Sequence, residues 1–221
     1  MPIQDSPNQA RAKFGVVLVA FLLLMALAHG AAELNGAPQP GHPGLDPVTH
    51  YRVIFTIWVT FALLTPALCL YILSRSEAAS NYWRAFWTFS YLALLSHLFW
   101  TVVGTYHGDF ETIFNSADAA DPWMRVGSPG LDLFLAAWWG LDVLLCWCAS
   151  ETKWIRIQRG AVHLLTFVVF LGAALTAGPE AHLLGVVMLL CVSVSAIVRA
   201  QSCVRTNRSR RSVPSTSDPS I

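Results

Sequence analysis

His97 lies in FWTFSYLALLSHLFWTVVGTYHGD, residues 86–109, with apolar side chains on both sides of it, and Asp142 lies likewise in PGLDLFLAAWWGLDVLLCWC. A charged group at the centre of a membrane helix costs about 2.5 to 3.5 kcal/mol, so each of these residues needs a partner or a task. An imidazole takes up and gives off protons near neutral pH, and a carboxylate beside it fixes its orientation and tunes it. The residues around His97 at helical spacing, Ser90, Ala93, Thr101 and Gly104, make a stripe of small and weakly polar side chains of the kind that lets helices approach closely. Asp142 has Trp138 and Trp139 one turn before it as shields from lipid. Counted from the outer ends of their runs, both residues fall roughly 14 to 17 Å below the surface. The sequence therefore predicts a His97–Asp142 pair, either as a tuned acid/base pair or as a hydrogen bond that locks two helices.

A second set of polar residues gathers nearer the same surface: Thr56 and Thr60 on one helix face, Asp132, His107, Asp109, His29, His50 and His182. One outward-opening cavity would contain Thr56, Asp132, His97 and Asp142. As metal ligands His107 and Asp109 are weak candidates, because no tight ligand spacing, H-E-x-x-H or paired Glu-x-x-His supports them. Haem would require a second histidine at matching depth, and His163 falls at the opposite end of its run. No cofactor is assigned. Phosphate-binding glycine loops, nucleophile elbows and nucleic-acid motifs are lacking, so no nucleic-acid partner is expected.

The elements that must position these residues follow from composition. Of the 221 residues, 55% are hydrophobic and only 12% charged, about half the charged share of an ordinary soluble domain. Apolar runs long enough to cross a bilayer occur at about 14–32, 53–73, 84–106, 131–149, 160–177 and 182–200. The expected fold is an all-α integral membrane protein of six transmembrane helices forming one domain over residues 1–200. Arg11 and Lys13, the apolar run and Ala26-Leu27-Ala28 also fit a cleaved signal peptide, which would leave five spans. Continuation of the run to Ala32 favours a retained anchor.

With the N-terminus inside, twelve of the fourteen lysines and arginines fall on the cytoplasmic side, and only Arg52 and Arg125 fall outside. Both termini are thus expected in the cytoplasm, in the plasma (inner) membrane, with membrane lipids as neighbours. All five cysteines fall within spans or in the cytoplasmic tail, and no disulfide is implied. NGAPQPGHPGLDP should be an irregular outer loop, Pro66 should kink the second span, and the stretch with Asp109, Glu111, Asp118 and Asp121 is long enough for a lid. Ala177-Gly178-Pro179-Glu180 predicts a tight hairpin between the last two spans. Residues 201–221, basic and then Ser/Pro-rich, are expected to be a disordered tail.

Three stretches, YRVIFTIWVTFAL, LFWTVVGTYHGDF and PGLDLFLAAWWGLD, carry a resemblance over roughly residues 51–145 to the six-span, androgen-induced family of membrane hydrolases and its bacterial relatives. That family cleaves fatty-acid esters of hydroxy fatty acids with an intramembrane threonine and a histidine from a later span. The resemblance implies Thr56 in the place of the threonine and a lipid-like substrate. Where the family has its histidine this sequence has Asp132, so His97 would have to act as the base, with Asp142 orienting it. Two functions stand at this point: an intramembrane, hydrolase-like enzyme acting on a lipid or other apolar substrate, or a non-enzymatic small transporter or accessory subunit in which His97 and Asp142 form a proton relay or helix lock.

Overall fold

The chain folds as an all-α protein with six helices long and apolar enough to cross a membrane. The computed structural model describes residues 7–36, 46–73, 77–111, 129–176 and 178–211. The helices are α1 (Pro7–Asn35), α2 (Pro47–Leu73), α3 (Glu77–Phe99), α4 (Pro129–Cys148), α5 (Lys153–Thr176) and α6 (Pro179–Arg211). A π-helical segment, Trp100–Thr105, continues α3 beyond Phe99.

Most helices run beyond the apolar runs because local chemistry, and not hydropathy, sets their ends. Asp46 caps α2: its carboxylate accepts the backbone N–H groups of Val48 and Thr49, both at 3.3 Å, and the Thr49 hydroxyl at 2.8 Å. Pro47 occupies the first helical position, where a missing N–H costs nothing. The Thr49 hydroxyl, foremost among these donors, holds the Asp46 carboxyl below its usual 3.8. Helix α2 then passes through Pro66 without interruption. At the other end of the chain α6 continues to Arg211 and so takes in the first eleven residues of the stretch expected to be disordered. No proline or glycine breaks that stretch before Pro214. Residues 212–221 lie outside the described residues, as do 37–45 of the Pro/Gly-rich loop and 112–128 of the expected lid, with Asp118 and Asp121.

Helix α2 is the hub, packing on α1, α3 and α6 and touching α5. Neighbours α3 and α4, α4 and α5, and α5 and α6 also pack, so α2 to α6 close a ring, with α1 in the groove between α2 and α3. Phe61, Leu64, Trp87, Trp139, Val162 and Phe170 are buried in the main core within that ring. A second cluster, including Val17, Val59, Leu63, Phe89 and Ala93, seats α1. Outward faces stay apolar, as Leu22, Leu23 and Leu27 of α1 and Leu190, Val194 and Ile197 of α6 show.

Close approach between helices relies on small residues. A methyl group built on Gly185 would meet the Ala174 side chain at 2.6 Å, which fixes α5 and α6 as the expected hairpin. His182 strengthens that turn by donating from Nε2 to the Leu175 carbonyl at 3.0 Å.

Candidate functional site

The polar groups that helix packing brings together lie in the half of the ring nearer the α4–α5 connection, on α3, α4 and α5. Asp142 is fully buried. Its Oδ2 accepts the Trp87 indole N–H at 2.9 Å and the Cys146 thiol at 3.7 Å. Its Oδ1 faces the Arg159 guanidinium, with Nε at 3.7 Å. Arg159 is buried as well, and its Nη1 donates to Glu151 at 3.1 Å while the guanidinium lies 5.0 Å from the Trp83 ring centre. Glu151 is more than half exposed, so one guanidinium joins a buried carboxylate to a wet one.

The fold of α5 explains why these groups face inward. Ile155, Gln158, Arg159, Val162, His163, Thr166 and Phe170 repeat at helical spacing and are all buried, so the polar residues of this helix share the face that packs against the bundle. His163 is fully committed there. Its Nδ1–H donates to the Arg159 carbonyl at 2.8 Å, and its Nε2 accepts the Trp83 indole N–H at 3.0 Å, which requires the neutral imidazole. The ring is stacked between Trp87 at 3.7 Å and Tyr71 at 4.0 Å. Trp87 in turn lies 4.5 Å from Trp139. Both amide atoms of Gln158, the Thr166 hydroxyl, Trp139 Nε1, Asp142 Oδ1 and Arg159 Nε are buried with no hydrogen-bond partner among the described residues. That is a high concentration of orphaned polar atoms for one seam.

The expected His97–Asp142 pair is corrected by this geometry. Asp142 takes Trp87, which precedes His97 by ten residues, or about 15 Å of helix rise. His97 instead donates from Nδ1 to the Val53 carbonyl of α2 at 3.0 Å. Equal depth below the surface had been inferred from the outer ends of the two runs, but those ends are not level. The contacts of Trp87 with Asp142 and of Tyr91 with Gly140 set the antiparallel register of α3 and α4. In that register Asp132, and not Asp142, comes level with His97.

The single cavity expected to contain Thr56, Asp132, His97 and Asp142 is therefore divided. Thr56 and His97 share one acceptor, since the Thr56 hydroxyl lies 3.1 Å from the Val53 carbonyl that His97 also reaches. That hydroxyl lies nearer, at 2.7 Å, to the Arg52 carbonyl of its own helix. Asp132 sits half-buried in the first turn of α4, with no hydrogen bond or ion pair among the described residues. His107 and Asp109 lie in the exposed turn after the π segment, where His107 adopts a left-handed backbone (φ 52°) and Asp109 accepts the Glu111 N–H at 3.0 Å. Among the described residues no three His, Cys, Asp or Glu side chains gather as a metal-ligand set.

Where the end of α1, the start of α2 and the π segment after α3 come together, a smaller polar knot forms. Arg52 pairs with Glu33, and its guanidinium lies 4.4 Å from the Trp100 ring centre. Trp100 donates to His29 Nε2 at 3.3 Å, and His29 Nδ1–H donates to the Met25 carbonyl at 2.9 Å. The π segment begins at Trp100, the residue that makes this bond.

Sequence reasoning missed Trp87 and Arg159 as partners of Asp142, and Glu151 and His163 as the groups that hold Arg159 and Trp87 in turn. The signal was present in the spacing of Gln158, Arg159, His163 and Thr166, but a span counted from residue 160 leaves Arg159 in a loop. The class defined by these helices and this buried site is a multi-pass membrane protein. Compared with known protein families, curated proteins and solved structures, the chain matches none of them.

Removing one member of a buried ion pair leaves the other uncompensated. Asp142→Leu should lower stability by about 3 to 5 kcal/mol, and Asp142→Leu combined with Arg159→Met should recover most of that loss. Thermal unfolding in detergent checks it: a double variant no more stable than Asp142→Leu would show that the two charges do not depend on each other.

Proposed function

We propose that this protein is a small multi-span transporter of the plasma (inner) membrane, with both termini in the cytoplasm and with Asp142 and Arg159 as the charge centre of a proton pathway. The observation that carries this reading is a fully buried carboxylate beside a buried guanidinium on helices otherwise made to face lipid. A bundle that needed only rigidity would be as stable, or more so, with apolar side chains of similar volume in that seam. Ionisable groups retained at such depth mark ion pathways and proton relays. The amide of Gln158 and hydroxyl of Thr166, buried without a hydrogen-bond partner among the described residues, support a seam that handles polar species. The distribution of lysine and arginine along the chain supports the orientation.

A second reading, the intramembrane hydrolase suggested by resemblance, is favoured by the Val53 carbonyl that Thr56 and His97 share. It ranks second because a nucleophilic hydroxyl must give its proton to a base, whereas both side chains here are engaged with backbone carbonyls. Membrane lipids, or a lipid-like substrate, are the partners this reading requires. Labelling by a lipid-like, serine/threonine-directed probe that is lost in both Thr56→Ala and His97→Ala would establish it, and equal labelling in all three proteins would remove it.

For the transporter reading, the full chain in liposomes with a trapped pH dye and a valinomycin-clamped potential should pass protons about tenfold faster than Asp142→Asn. Equal rates would overturn it.

A further inference from the structure

Arg159 stands between two carboxylates that differ in one respect, access to water. Asp142 is fully buried, whereas the Glu151 side chain is 57% exposed. The guanidinium is hydrogen-bonded to the exposed carboxylate at 3.1 Å and lies only at ion-pair distance, 3.7 Å, from the buried one. Asp142 Oδ1 accordingly has no hydrogen bond among the described residues, while Oδ2 accepts from two donors. A buried carboxylate must be neutralised, and either a nearby cation or a proton suffices.

We propose that Asp142 is a proton-binding site in which a proton and the Arg159 guanidinium alternate as the countercharge, with Glu151 holding Arg159 whenever Asp142 is protonated. The inference rests on the transporter reading and names its coupling ion. In one state Arg159 closes on the Asp142 carboxylate. In the other a proton from water on the side of Glu151 joins Asp142 Oδ1, and Arg159, itself still protonated, pairs with Glu151. One O–H bond forms on Asp142 as one O–H bond of the hydronium that donates the proton breaks, leaving water, and no other bond changes.

The other groups facing Asp142 cannot take its place. His163 has both ring nitrogens committed, Trp87 only donates, and the Cys146 thiol donates to the same carboxylate. Tyr71 from α2 is a neutral phenol that feels the charges of Arg159 and Asp142 and brings none of its own, and Arg84 from α3 acts through charge on Cys146. Glu151 is therefore the group that sets how freely Arg159 leaves Asp142. Removing its charge should leave the guanidinium to Asp142 and favour the ionised carboxylate.

Acid-minus-neutral difference infrared spectroscopy on the full chain in nanodiscs tests this. A protonated-carboxyl band should grow as pH falls, shift when the protein carries carbon-13 aspartate, persist in Asp132→Asn and vanish in Asp142→Asn. In Glu151→Gln, an exposed change that leaves the core intact, the midpoint of that band should fall by about one pH unit. Absence of an aspartate band in the folded protein, or a midpoint unmoved by Glu151→Gln, would overturn the proposal. Failure here with an intact Asp142-dependent proton flux would leave the transporter reading standing, and a titrating band without flux would remove only that reading.

Discussion

The contact between Asp142 and Arg159 constrains the bundle more than any other. A carboxylate with no exposed surface and a guanidinium almost as deeply buried can coexist in an apolar ring only if they remain close and if hydrogen bonds satisfy the rest of each group. This requirement fixes the register of α4 against α5, and the Trp87 indole extends it to α3. The neutral His163, clamped between Trp87 and Tyr71, extends it further to α2. Four helices are thus indexed by one polar centre. Such indexing matters in a membrane, where apolar contacts between helices discriminate little from contacts with lipid.

Much of the fold was legible because hydrocarbon permits few solutions. Long apolar runs, prolines and glycines between them and a biased distribution of cations lead to six spanning helices. The partners of Asp142 were less legible because depth must be counted from a helix end, and ends are set by caps and turns. Starting α5 at Lys153 in place of residue 160 moves its boundary by seven residues, about 10 Å, and turns Arg159 from a loop cation into a core residue. His97 and Asp142 were matched by the same kind of count, and the overhang of α3 beyond the start of α4 undid the match. Thr56 and His97 share an acceptor, the Val53 backbone carbonyl, which no pattern of side chains announces.

The two polar centres of the molecule differ in kind. Near the π segment, Arg52, Glu33, Trp100 and His29 tie α1 to α2 and α3 through groups that are at least partly accessible. In the other half, the face of α5 puts Gln158, Arg159, His163 and Thr166 into the ring, and several of their polar atoms have no partner among the described residues. The first leaves one buried atom, Arg52 Nε, without a hydrogen-bond partner among the described residues, whereas the second leaves six. An orphaned set beside a buried charge pair is costly as architecture and is better accounted for as a place where polar species enter.

The indole N–H of Trp87 reports most directly on whether Asp142 occupies the position on which this account rests. In protein carrying nitrogen-15 tryptophan in nanodiscs, with the Trp87 resonance identified through Trp87→Phe, Asp142→Asn should displace that resonance strongly and His97→Ala should leave it in place. A Trp87 resonance indifferent to Asp142→Asn, or one that follows His97→Ala instead, would contradict the account.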